Sequence, residues 1–78
     1  MITLPSTKYL NDISPTELIQ LANLIEIWGN KSVMPTNKEL NNLYSLLKEE
    51  NVSKNRDYLY GILCNKVFQE LTDRIKRL

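Results

Sequence analysis

The chain has 78 residues, enough for one domain, and a domain of this size buries only about 60–65% of its unfolded surface. Its composition, 42% apolar and 24% charged, is that of an ordinary globular chain, and a net charge of +1 gives no support to bulk electrostatic binding of DNA or an anionic membrane. A single cysteine, Cys64, and no histidine exclude a disulfide scaffold, a Cys–His pair and the commonest metal sites.

In chain order, the first stretch is "MITLPSTKYLNDI". It has no basic segment and no long apolar run, so a signal peptide is not expected. Ile2, Leu4, Tyr9, Leu10 and Ile13 are apolar, but Pro5 and "NDIS" argue against a long element. Residues 1–13 therefore read as an arm packed on the rest of the fold.

The first predicted helix follows in "SPTELIQLANLIEIW". Ser14 can cap, Pro15 suits the first helical position and Glu17 completes a capping box. Gly29 tolerates a left-handed conformation, so the helix is placed at about 15–28. Leu18, Leu21, Ala22, Leu24, Ile25 and Trp28 share a broad face, and Trp28 is expected to be buried against the last helix. Ile19 and Ile27 fall outside that face. The arm covers them, a partner does, or they are simply exposed.

The second helix is predicted at about 37–50, with Thr36 as cap and Glu39 closing a second box. Leu40, Leu43, Tyr44, Leu46 and Leu47 form its apolar face, against a polar back of Asn41, Asn42, Ser45, Lys48 and Glu49. Nothing in this helix calls for a function beyond packing.

The third helix is predicted at about 54–78, opened by Ser53 and uninterrupted by proline. At 1.5 Å per residue it would be about 37 Å long, against about 21 Å for each of the others. Cys64, Val67, Phe68, Leu71, Ile75 and Leu78 then form a narrow stripe on its second half, a seam for one facing helix, either the first helix of the same chain or a partner's, with Val67, Leu71, Ile75 and Leu78 as its partner-facing residues. The fold class expected is all-α: a small three-helix bundle with a short N-terminal arm and a long C-terminal helix.

Catalytic chemistry is hard to find. The helical neighbours of Cys64 are Tyr60, Val67 and Phe68, and apolar surroundings leave a thiol inert. Glu49 and Glu50 point apart, and Glu70 with Asp73 on a convex helix lacks the further oxygen ligands of a cation site. Gly29 and Gly61 are the only glycines, so no phosphate loop exists. The expectation is a non-enzymatic protein with no cofactor, metal or small-molecule substrate.

The charge is unevenly spread. Residues 1–50 carry four lysines against six carboxylates, net −2, and residues 51–78 carry six cations against three carboxylates, net +3. Ser53, Lys54, Asn55 and Arg56 gather at the start of the last predicted helix, where free amides attract anions. They could touch a phosphate or an acidic protein surface. "PTNKELNNL" followed by "VSKNRDYLYGIL" loosely resembles helix-turn-helix proteins, over Pro35 to Leu63. That resemblance implies a recognition helix presenting Ser53, Lys54, Asn55 and Arg56 to nucleic acid. The pattern departs from it where "LLKEEN" prolongs the first helix and sets Glu49 and Glu50 beside the basic residues.

The leading expectation is a cytoplasmic interaction or regulatory protein. It would act through Ile19, Ile27, Val67, Leu71, Ile75 and Leu78 on a protein partner or a second copy of itself. The alternative is a nucleic-acid-binding module built on the second and third predicted helices.

Overall fold

The computed structural model describes residues 3–78 and is all-helical. Four helices, not three, make the bundle: α1 (Pro5–Asp12), α2 (Pro15–Lys31), α3 (Lys38–Glu50) and α4 (Arg56–Lys76). Met1 and Ile2 of the predicted arm lie outside the described residues.

The extra helix is the predicted arm. Pro5 opens α1 at its first turn, where a missing N–H costs nothing, and the Lys8 amide donates to the Leu4 carbonyl at 3.0 Å. An eight-residue helix is marginal alone, and Leu4 supplies no side-chain cap. The caps come from elsewhere in the chain. At its start, the Ser6 amide and hydroxyl both donate to the Glu50 carboxylate, at 2.9 and 2.7 Å. At its end, Arg74 Nη2 donates to the carbonyls of Leu10 and Ile13, at 2.8 and 2.7 Å. A carboxylate at the N-terminus and a guanidinium at the C-terminus match the helix dipole at both ends.

Glu70 completes this clasp. It is buried, and its Oε2 accepts from Arg74 Nε at 2.8 Å and from Arg77 Nη2 at 3.3 Å. Lys66 Nζ adds a bond to Thr7 Oγ1 at 3.1 Å. Below these polar contacts Leu10 and Ile13 enter the common core.

The other boundaries shift for local reasons. The Ser14 hydroxyl accepts from the Glu17 amide at 3.2 Å, but α2 runs three residues past Trp28 and straight through Gly29. It stops at Ser32, whose φ of 57° is left-handed and whose amide donates back to the Trp28 carbonyl at 2.8 Å. Asn37, not Thr36, caps α3 by accepting from the Leu40 amide at 3.0 Å. Asn55, not Ser53, caps α4 by accepting from the Tyr58 amide at 2.8 Å. Both asparagines stand three residues before the amide they accept from, as a cap requires.

The core joins all four helices: Leu10 of α1 and Ile13 just past its end; Leu18, Leu21, Ile25 and Trp28 of α2; Leu40, Leu43 and Leu47 of α3; Leu59, Leu63 and Val67 of α4. Helices α3 and α4 each touch all three of the others, and α4 makes the more extensive contacts. Helix α4 has 21 residues, about 31 Å, and α1 packs along its second half. The predicted overhang is therefore covered by the chain's own N-terminal segment. No described helix is long and apolar enough to cross a membrane.

Candidate functional site

The two predicted surfaces fare differently, and the basic one is the simpler. Ser53, Lys54, Asn55 and Arg56 are all exposed. Their side chains, however, are largely engaged within the chain. The Lys54 ammonium lies 5.0 Å from the Tyr58 ring centroid, and the Arg56 guanidinium 5.7 Å from that of Trp28. Asn55 is the cap of α4. A positive side chain at a helix start is electrostatically unfavourable, and the aromatic face beneath each one compensates. The α3–α4 connection spans residues 51–55, longer than the three or four residues of a compact helix-turn-helix.

Arg56 is the outer layer of an aromatic cluster. Trp28 is buried, with Tyr60 edge-on at 4.9 Å and 71° and Tyr44 tilted at 5.9 Å and 54°. The Tyr60 hydroxyl donates to the Ile25 carbonyl at 3.2 Å. It passes so close to Gly29 that a Cβ there would sit 2.6 Å from the hydroxyl oxygen. Gly29 is thus a clearance for Tyr60 and not a helix stop. Burial, and after it the Cys64 thiol one turn along, pushes the Tyr60 hydroxyl above the ordinary tyrosine range.

The apolar surface requires a residue-by-residue account. Val67 is completely buried in the core, so it is no surface residue in this fold. The seam drawn through it assumed an uncovered second half of α4, which α1 in fact covers. Leu71 is half-buried against the core. Ile19 at 55%, Ile27 at 43% and Ile75 at 66% exposure face solvent, and Leu78 lies fully exposed beyond the end of α4. Phe68, outside the predicted partner-facing set, is 47% exposed. It belongs to the predicted stripe, and its place one residue, about 100°, around from Val67 puts it at the stripe's edge.

Some of these residues come together. Trp28 packs on Tyr60 at one end and the Ile13 carbonyl meets Arg74 at the other, so α2 and α4 run antiparallel. This pairing sets Ile19 level with Phe68. Helical geometry turns Ile19 toward the α4 side of α2, and turns Phe68 and Ile75 toward the α2 side of α4. The result is a shallow apolar flank along the α2–α4 groove. Half-buried Ala22, Cys64 and Leu71 form its floor, and Ile19, Phe68 and Ile75 rise from it. Ile27 lies about 80° further around α2 and belongs to its outer face.

Among the described residues no three His, Cys, Asp or Glu side chains gather as a metal site would require. No family model matches the chain, and no curated protein and no solved structure matches it either.

Proposed function

We propose that this chain is a small, non-enzymatic protein–protein interaction module that docks through the flank between α2 and α4. One observation carries the reading: Ile19, Phe68 and Ile75 are all exposed large apolar residues, and helical geometry turns them toward one flank, beside half-buried Ala22, Cys64 and Leu71. Single exposed apolar residues are normal on any protein, whereas a contiguous group marks a surface that another molecule covers. Phe68 has the size and shape of an anchor residue at the centre of such a contact. Lys54 and Arg56, which the nucleic-acid reading needs for phosphates, lie against Tyr58 and Trp28 instead.

The test is site-specific photo-crosslinking in the cells that express the protein. A benzophenone amino acid replaces Phe68 in one variant and Asn41, on the polar back of α3, in another. Adducts from position 68 that position 41 does not give are the expected result. A position 68 variant that labels nothing beyond the position 41 control overturns the reading.

A further inference from the structure

We infer that α1 is the resident occupant of a helix-binding groove between α3 and α4, and that it masks this groove until a partner helix of the same chemistry takes its place. The groove is a separate surface from the α2–α4 flank, and neither reading depends on the other.

The groove grips a helix by both of its ends. Helix α1 touches α3 and α4 alike. At its start, the Glu50 carboxylate accepts from the Ser6 amide at 2.9 Å and from the Ser6 hydroxyl at 2.7 Å. At its end, Arg74 Nη2 donates to the Leu10 and Ile13 carbonyls at 2.8 and 2.7 Å. A carboxylate that takes free amides and a guanidinium that takes free carbonyls recognise the polarity of a helix before any side chain is read. The side-chain demand in between is narrow. Ser6 and Leu10, four residues apart on one face, are the buried residues of α1, and Lys66 reaches Thr7 Oγ1 at 3.1 Å. The groove therefore fits a short helix with a small hydroxyl residue in its first turn, a leucine one turn on and an uncapped C-terminus.

Three features make α1 removable. It has eight residues and no side-chain cap of its own, so it does not persist without the groove. It is held at its ends and from beneath, not along its sides. Open clefts of about 490 and 450 Å³ border it, one towards α4 beside Asn65 and Gln69, the other towards α3 beside Leu46. Among the described residues, Leu10 and Ile13 are all that this segment gives to the core, and the other buried apolar side chains belong to α2, α3 and α4. Those three helices thus keep a core of their own when α1 leaves. The Ser6–Glu50 contact is the latch: a negative charge placed at position 6 meets the Glu50 carboxylate and opens the groove.

The experiment has two arms, both on the full chain. The first is native-state hydrogen exchange in low urea. In the parent, the amides of Lys8 to Asp12 should exchange through a local opening with little urea dependence, at least about tenfold faster than those of Leu63 and Val67, which need global unfolding. Equal rates with equal urea dependence overturn the removable helix. The second arm is Ser6→Asp, probed by fluorescence anisotropy of a labelled synthetic peptide of residues 3–14 of this chain. By circular dichroism the variant should keep the helical signal of α2, α3 and α4. It should bind the peptide at least about tenfold more tightly than the parent does, because its own tethered α1 no longer competes at an effective concentration of roughly millimolar. The same peptide carrying Ser6→Asp should bind the variant at least about tenfold more weakly. A Ser6→Asp chain that loses its helices altogether overturns the separability of α1. One that stays folded but takes up no peptide at about 1 mM, or binds both peptides alike, overturns the groove as a receptor for a helix of this chemistry.

Discussion

The two ends of α4 are fastened to the rest of the molecule by opposite kinds of chemistry. At its start, Tyr60 and Arg56 close over Trp28, and Tyr44 joins from α3, so the contact is a stack of large rings. At its end, Lys66 and Arg74 hold α1 through charged hydrogen bonds, those of Arg74 to backbone carbonyls, and Glu70 braces Arg74. Ring packing does not tolerate truncation, because each ring fills volume that nothing else can fill. The polar clasp instead positions a helix that could not persist alone. Loss of the first should therefore threaten the whole fold, and loss of the second should first free one helix.

The largest effect is expected at Trp28. Trp28→Ala removes the ring on which Tyr44, Tyr60 and Arg56 converge. Truncation of a packed tryptophan costs about 3–5 kcal/mol, a large share of the 5–15 kcal/mol typical of a small domain. Thermal denaturation followed by circular dichroism should show an unfolded chain or a much lower midpoint. A midpoint equal to the parent's would mean that the aromatic end is not the main fastening.

Arg74→Ala comes next. It withdraws the cap from the Leu10 and Ile13 carbonyls and leaves buried Glu70 with only its 3.3 Å contact to Arg77. Charge-assisted bonds of this kind are worth about 1.5–3 kcal/mol, so a loss of about 2–3 kcal/mol is expected. The location of the loss distinguishes the two ends. Hydrogen exchange should accelerate over residues 5–12 while the amides of α2 and the first half of α4 stay protected. Uniform acceleration along the chain would show that α1 unfolds only with everything else.

This difference also explains what could be read from the sequence. The cap at Ser14 and the apolar faces of the later helices are local patterns, repeated within a turn or two, and they placed Leu18, Leu21, Ile25 and Trp28 in the core. Helix α1 has no such pattern, because its caps, Glu50 and Arg74, stand 44 and more than 60 residues from the groups they satisfy. The stop assigned to Gly29 failed for the same reason, since that glycine answers to Tyr60, 31 residues on. At the candidate site, Ile19 and Ile75 were legible as apolar residues in excess of the core's needs. Phe68 was legible as a member of the α4 stripe but not as its exposed edge, because the packing of the other helices decides that Val67 is buried and Phe68 is not.

Gly29 offers a smaller and sharper test of the aromatic end. An alanine in a helix interior is ordinarily favoured over glycine by about 0.8–1 kcal/mol. In the parent, Gly29→Ala must displace the Tyr60 hydroxyl and strain its bond to the Ile25 carbonyl, so the gain should vanish or reverse. In a Tyr60→Phe background the obstructing oxygen is gone, and Gly29→Ala should stabilise by most of that amount. A double-mutant cycle from urea denaturation would read the coupling directly. Strict additivity would show that the ring moves aside freely and that the aromatic end is looser than its geometry.

The smallest expected effect is alkaline, and its sign follows from the same hydroxyl. Tyr60 is a donor to the Ile25 carbonyl in its neutral form, and burial, with Cys64 beside it, holds its pKa above the ordinary value of 10.0. The folded state thus favours the protonated phenol more than the unfolded state does. Its contribution is fully present below pH 10 and is lost as pH rises from there through the raised folded value. Tyr9 shifts in the same direction, chiefly through burial, so the parent alone cannot assign the loss. The difference between parent and Tyr60→Phe can. Measured by urea denaturation from pH 8 to 11, the parent's stability should fall more steeply than the variant's above about pH 10, with parallel curves below it. Curves that stay parallel to pH 11 would place the Tyr60 hydroxyl in water, and with it would go the argument that this end of α4 is sealed by packed rings.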